Sequence, residues 1–336
     1  MYINNMDKLL ESLHFGNVDF EQNVDLASHT YMKTGGIAKL LILPKTTEEV
    51  IQSINLLNDH GVAYKIIGAT SNLLFLDNAD YSCLLSTTNL KGIEINQANN
   101  EIVSASGEML GDLSRFALLN SVTGFEGLEG IPGTVGGAVF MNAGAYGYET
   151  KNVLKSIELV DDNGNRRSLL LDELGLKYRN SVLKRGEVKG VVVSATFKIE
   201  LRNQSKIEKR MELFHAKRHK YQEFLFPNLG SCFSGSIYRA LGKKDRTFRV
   251  ISMLYFLFAY KIKIFRRESP INRKWINDIA LKRFNFSYEK QPFSNKNINT
   301  MVNRGQGTDE MLRYINEINR LADFKIPIEN EIVEKF

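Results

Sequence analysis

Residues 124–147 read GFEGLEGIPGTVGGAVFMNAGAYG, with eight glycines in 24 positions, one proline and no Lys, Arg or Asp. Without Cβ atoms the backbone can take positive φ and bring successive amides onto an anion. The chemistry served by such a run is the gripping of a phosphate or diphosphate by main-chain N–H groups. The structural alternative is a seam of small residues where two elements pack. The spacing matches neither GxGxxG nor GxxxxGK[ST], so a Rossmann turn and a P-loop are both excluded. A second candidate lies upstream at 68–74, GATSNLL, directly after an apolar run. Its amides and its Ser and Asn side chains can converge on one anion, although a plain β-turn has the same composition.

The elements around these loops must place them at strand ends. Residues 39–43 form an apolar run stopped by Pro44, and Thr46 with Glu49 is a capping-box pattern. The helix it opens turns Val50, Ile51, Ile54 and Leu57 inward, and 62–67 is the next strand, which gives a β-α-β unit. Residues 1–20 predict an amphipathic helix, 81–105 short strands, and 109–120 a helix. Asn163-Gly164 predicts a hairpin between 153–160 and 167–171, and 190–201 is a further strand. Residues 205–220 read as a helix whose basic end, 217–220, is a solvated face complementing its dipole. Residues 227–236 are turn-like. The most apolar stretch, 249–267, is flanked by Lys and Arg and reads as a buried core segment, or as a surface helix resting on anionic lipid. A helix from Thr308 and an alternating strand over 326–333 end the pattern.

Composition sets outer bounds. The chain has 336 residues, 43% apolar and 24% charged, which suits two or three globular domains. A formal charge of +6 without a basic cluster argues against nucleic acid. Cys83 and Cys232 lie far apart with neither CxxC nor metal spacing, so a reducing compartment is expected and no metal. No signal-peptide pattern opens the chain, and no apolar run reaches the ~18 residues of a membrane span. A cytoplasmic protein is expected.

With both loops placed, the chain resembles the UDP-N-acetylenolpyruvoylglucosamine reductase family, flavoenzymes of peptidoglycan precursor synthesis. Gly130-Ile131-Pro132-Gly133-Thr134-Val135-Gly136-Gly137-Ala138, running on to Asn142-Ala143-Gly144-Ala145-Tyr146-Gly147, is similar to the family's flavin diphosphate motif. Thr30-Tyr31-Met32-Lys33-Thr34-Gly35-Gly36 and 68–74 resemble two further FAD-side motifs, and Tyr178-Arg179-Asn180-Ser181 resembles its YR-x-S motif. The resemblance covers 20–235 and returns in pieces to the end.

This resemblance implies an α+β fold: a two-subdomain FAD-binding half of the vanillyl-alcohol-oxidase (PCMH) type and a smaller α/β substrate-binding domain. The implied boundaries are 1–85, 86–204 and 205–325, with 326–336 a C-terminal strand returning to the active site. It implies non-covalent FAD, NADPH as donor, and hydride transfer to the enolpyruvyl group of a UDP-sugar. A monomer is expected, with a weak membrane-surface contact through 249–267. The implied cofactor contacts are Thr34, Gly35, Gly68, Ala69, Thr70, Ser71, Asn72, Leu73, Gly130, Ile131, Pro132, Gly133, Thr134, Gly136, Gly137, Ala138, Asn142, Gly144, Ala145 and Tyr146. Arg179 matches the arginine that clamps the substrate carboxylate, Ser231 the proton-donating serine, and Glu331 a C-terminal glutamate. Glu331 can donate a hydrogen bond if burial and the bound carboxylate keep it protonated. Outside the family frame, Ser231 and Glu331 read as a turn hydroxyl and a strand charge.

Departures gather in the third domain. Gly230-Ser231 continues as Cys232-Phe233-Ser234-Gly235-Ser236, where the family usually has x-Phe-Lys-Asn-Pro. Residues 296–303 lack the family's histidine, 237–270 look rebuilt, and Thr70 replaces a glycine. Two other readings follow: a paralogue reducing another enolpyruvyl nucleotide-sugar for capsule or O-antigen, and a flavin-binding protein without catalysis.

Overall fold

A computed structural model describes residues 5–261 and 272–336. The chain opens with α1 (Asn5–Phe15), β1 (Phe20–Asp25), α2 (Leu26–His29), β2 (Ile37–Ile42), α3 (Thr47–Asp59), β3 (Lys65–Ile67), β4 (Leu73–Phe75) and β5 (Leu84–Ser86). The Thr46 hydroxyl accepts from Glu49 N at 3.1 Å and caps α3, as the capping pattern predicts. Strands order as β1-β2-β5-β3, with β2, β5 and β3 mutually parallel and β1 antiparallel at the edge. The β-α-β reading is borne out, but the strand expected over 62–67 is only three residues long. α1 and α3 cover this sheet through Leu9, Leu13, Val50, Ile54 and Leu57.

The second unit contains β6 (Ile93–Asn96), β7 (Glu101–Ala105), α4 (Leu110–Leu119), α5 (Val135–Met141), β8 (Gly144–Ala145), β9 (Tyr148–Glu149), α6 (Thr150–Val153), β10 (Leu154–Val160), β11 (Arg166–Leu170) and β12 (Val191–Lys198). Its sheet, β11-β10-β12-β7-β6, is antiparallel throughout. The Asn-Gly hairpin forms between β10 and β11, and Asp161 Oδ1 accepts from the amides of Asn163 and Asn165 at 2.9 Å each. The glycine-rich stretch is not continuous loop. Thr134 caps the short helix α5 inside it, whose Val135 and Val139 join the core beneath the sheet. Too few apolar positions precede that helix for periodicity to reveal it.

The remaining elements are α7 (Gln204–Tyr221), β13 (Asn228–Ser231), α8 (Ile237–Lys244), α9 (Arg246–Phe256), α10 (Lys274–Arg283), β14 (Thr300–Val302), α11 (Thr308–Leu321) and β15 (Glu331–Val333). The turn-like 227–236 holds a strand after all, β13, paired antiparallel with β14. Helices α8, α10 and α11 bury Ile237, Leu241, Ile276, Met311, Ile315 and Ile318 in one cluster. The expected buried segment at 249–267 is corrected over α9. Val250, Met253 and Leu254 are exposed, because among the described residues it is the face bearing Phe248 and Ser252 that meets other helices. The rest of that stretch, 262–267, lies outside the described residues. Among the described residues no helix is long and apolar enough to cross a membrane.

β15 pairs in parallel with β4, Glu331 opposite Leu73. Asp77 adds a second tie: its two carboxylate oxygens accept from Gly35 N at 2.9 Å and from Thr308 N, at the start of α11, at 2.8 Å.

Candidate active site

The loops 68–73 and 130–146 form one side of a cleft of about 2140 Å³. They are laced together. Ser71 Oγ donates to Pro132 O at 2.7 Å, and a Cβ on Gly68 would stand 2.4 Å from Thr134 Oγ1. Gly133 has φ +143°, conformational space open essentially to glycine, and lies against the Ser71 hydroxyl. The amides of Ala69, Ser71, Asn72 and Gly133 have no partner among the described residues. Unsatisfied N–H groups on two abutting, Cβ-poor loops fit a dinucleotide diphosphate, which would supply the missing acceptors. The residues present therefore suit FAD.

Thr70 explains its own departure. It sits at φ +54°, where glycine is the easy choice, and its hydroxyl accepts from Tyr31 N at 2.8 Å. That bond holds a β-branched residue in left-handed space and ties the 30–36 segment to the loop. Thr34, Gly35 and Asn142 do not line the cleft; the other expected cofactor residues do. Gly35 is engaged by Asp77. Asn142, at φ +44°, caps α5, and its amide donates to Glu149 Oε2 and Lys177 O.

Arg179, Ser231 and Glu331 all line the same cleft. Arg179 is a non-glycine residue at φ +50°, with Nη2 donating to Gly144 O at 3.1 Å and Nε 3.6 Å from Glu329 Oε2. Glu329 also accepts from Tyr178 Oη at 2.9 Å. The phenol is pushed up by burial and by that carboxylate, so it remains a donor. Ser231 ends β13 at the rim. The turn behind it is pinned by Asn299, whose Oδ1 accepts from Phe233 N and whose Nδ2 donates to Phe233 O and Gly235 O. Asn299 thus braces the turn whose Lys and Asn the chain lacks.

Glu331 is placed by backbone. Its amide donates to Asn72 O at 2.9 Å, and Asn72 also bonds Glu329 O and the Asn330 side-chain amide. Asn72, expected as a cofactor contact, is also the clasp between flavin loop and C-terminal segment. The Glu331 carboxylate pairs with Lys65 of β3. Lys184 Nζ donates to Arg179 O at 3.1 Å, and burial lowers its pKa against the pull of Glu331 and Glu329.

The basic end of α7 is corrected in one respect. Arg218 is buried rather than solvated, its Nη2 donating to two carbonyls of the glycine-rich stretch, Gly127 O at 3.3 Å and Glu129 O at 2.9 Å. Lys65, Arg218, Glu329 and Asn299 were beyond sequence reading. Each stands in an ordinary strand, helix or turn, and only the tertiary contact gives it meaning.

Residues 38–169 match the family model described as an FAD binding domain. The UDP-N-acetylenolpyruvoylglucosamine reductase of Clostridium botulinum (strain Eklund 17B / Type B) is 33% identical over 247 residues, covering 71% of this chain and 80% of that protein. The reductase of the same name from Lactobacillus gasseri is 35% identical over 228 residues, 68% of this chain and 75% of the relative. The solved structure of UDP-N-acetylenolpyruvylglucosamine reductase (MurB) from Thermus caldophilus superimposes with a TM-score of 0.67 at 23% identity. The match covers 94% of this chain and 98% of that one, a likeness of fold.

Proposed function

This chain belongs to the UDP-N-acetylenolpyruvoylglucosamine reductase family, and from that premise we propose that it reduces UDP-N-acetylglucosamine enolpyruvate to UDP-N-acetylmuramate. The product is a peptidoglycan precursor, and NADPH is the electron source. The observation that carries the reading is the convergence of Arg179, Ser231 and Glu331 on one cleft, beside two loops suited to FAD. FAD held there would supply the hydride that the terminal methylene of the substrate receives. Charge then builds toward the substrate carboxylate, and Arg179, held by Gly144 O and Glu329, clamps it. Ser231 gives a proton to the neighbouring carbon and recovers one from solvent; a hydroxyl serves as the acid only where it is tightly positioned. Asn299 supplies that positioning through Phe233. The amides of Ala69, Ser71, Asn72 and Gly133 would hold the FAD diphosphate.

We place the units at 1–85, 86–204 and 205–325, with 326–336 closing the active site, and read the protein as a cytoplasmic monomer. The exposed apolar row Val250, Met253 and Leu254 on α9, with Leu257 just beyond it and Arg246 and Arg249 beside it, favours a weak contact with anionic membrane. Co-sedimentation with phosphatidylglycerol vesicles, lost in Val250→Ser/Met253→Ser, tests that contact; equal sedimentation of both proteins ends it.

Purified protein mixed with NADPH and enolpyruvyl-UDP-N-acetylglucosamine tests the reaction. Substrate-dependent NADPH oxidation is expected, with Arg179→Ala slower by about 10²- to 10³-fold and FAD retained. FAD bound and reducible by NADPH, without substrate-dependent turnover, rejects this substrate in favour of another enolpyruvyl nucleotide-sugar.

A further inference from the structure

The C-terminal segment carries two carboxylates into the cleft, Glu329 and Glu331, while Asn330 between them turns inward and bonds Leu229 O at 3.1 Å. Each carboxylate holds one cation: Glu329 the Arg179 guanidinium, Glu331 the Lys65 ammonium. Lys65 reaches it from β3, the strand that leads into the 68–73 loop, and it also lines the cleft. The placement is built into two strands. Lys65 and Ile67 share a face of β3 by alternation, and Ile67 lies in one apolar cluster with Val333, two residues beyond Glu331. β15 itself is fixed by its parallel pairing with β4, Glu331 opposite Leu73, and Lys65 reaches the carboxylate from the neighbouring sheet.

Resting on the reductase reading above, we propose that Lys65 is a further substrate-binding and catalytic residue, its ammonium contacting the substrate carboxylate while Glu331 anchors it. In this geometry Glu331 accepts a hydrogen bond from Lys65, whereas the role implied for the family requires it to donate one. The ammonium has three N–H donors and spends one on Glu331, leaving two for an anion in the cleft. Lys65 and Arg179 then flank the position where charge develops, each steadied by its own carboxylate. Other charged groups around them are Glu329, with the Tyr178 phenol on it, Glu149, whose carboxylate acts on Arg179, and Lys184, fixed on the Arg179 carbonyl.

The test uses FAD-loaded protein and two ligands, UDP-N-acetylmuramate and UDP-N-acetylglucosamine, which lacks the carboxylate. Binding is followed by calorimetry, so no turnover is required. The parent is expected to prefer the carboxylate-bearing ligand. Lys65→Met should weaken that ligand about 10- to 100-fold, the usual worth of a hydrogen bond to a charged group, and leave the other within about threefold. Lys65→Gln should behave likewise, and Lys65→Arg should recover most of the preference. Glu331→Gln added to Lys65→Met should weaken binding no further, because Glu331 acts through Lys65. An undiminished preference in both Lys65→Met and Lys65→Gln overturns the proposal, as does equal weakening of both ligands or loss of FAD. A parent without any preference refutes the reductase reading and this inference with it, so the two failures are distinguishable.

Discussion

Gly68 is the point where the two flavin loops come closest, and replacing it by alanine gives a sharp test of that closeness. The new Cβ would lie 2.4 Å from Thr134 Oγ1 and 3.5 Å from Thr134 Cβ and Cγ2. Only the hydroxyl is in conflict. It must rotate away, and with it goes the bond to Gly137 N at 3.3 Å that caps α5, a loss of about 1 kcal/mol. Overpacking of the seam adds about 1–3 kcal/mol, so Gly68→Ala should destabilise by about 2–4 kcal/mol. Thr134→Ala alone forfeits only the cap, about 1 kcal/mol. In the double variant the hydroxyl is gone and the remaining 3.5 Å contact is ordinary, so about 1–2 kcal/mol is expected in place of an additive ~3–5. Urea unfolding of the apo-protein by far-ultraviolet circular dichroism measures the three values. Flavin fluorescence gives FAD affinity, which should fall at least about tenfold in Gly68→Ala and return in the double variant. Additive losses, or a harmless Gly68→Ala, would refute abutment of the loops through this pair.

Three other outcomes follow from the arrangement of charge and burial. Asp77→Ala strands the amides of Gly35 and Thr308 and should cost about 2–4 kcal/mol; hydrogen exchange should show α11 opening first, and unchanged protection there contradicts the tie. Asp245 is held below the usual carboxylate range by the Phe248 amide and then by Arg283. A depressed folded value means its stabilisation is present above the unfolded value, about 3.9, and is lost as pH falls through the folded one. Asp245→Asn should therefore be less stable than the parent at about pH 6 and converge with it toward about pH 2; a gap that widens in acid is the opposite result. Burial pushes both thiols, Cys83 and Cys232, up to about 12, so a thiol reagent at about pH 8 should label neither in the native protein and both after unfolding.

The flavin half was legible because its signals are local. A strand end followed by GATSN, a cap at Thr46 and an Asn-Gly hairpin each declare their geometry within a few residues. The α+β class and the FAD site followed from them and from the family likeness. The substrate side was less legible because its groups are defined by partners far away in sequence. Asn72 is expected as a cofactor contact, and only its bonds to residues 329–331 show that it also clasps the C-terminal segment. Arg218 looked like a solvated helix end, and only the facing carbonyls of Gly127 and Glu129 show why it is buried. The apolar run at α9 misled for the opposite reason. Hydrophobicity states what a side chain prefers, and whether a neighbour is there to cover it is decided by topology.

The bond between Lys65 and Glu331 joins positions 266 apart. A pocket that depends on it cannot exist while the polypeptide is partly collapsed, since the closing contact spans nearly the whole chain and is among the costliest in loop entropy. The 130–146 loop is tied close by, Val135 N to Glu108 O and Gly136 N to Ser106 O, whereas the 68–73 loop runs into β4, whose strand partner is β15. Full flavin affinity and competence for reduction should therefore both wait, during refolding, on the arrival of β15.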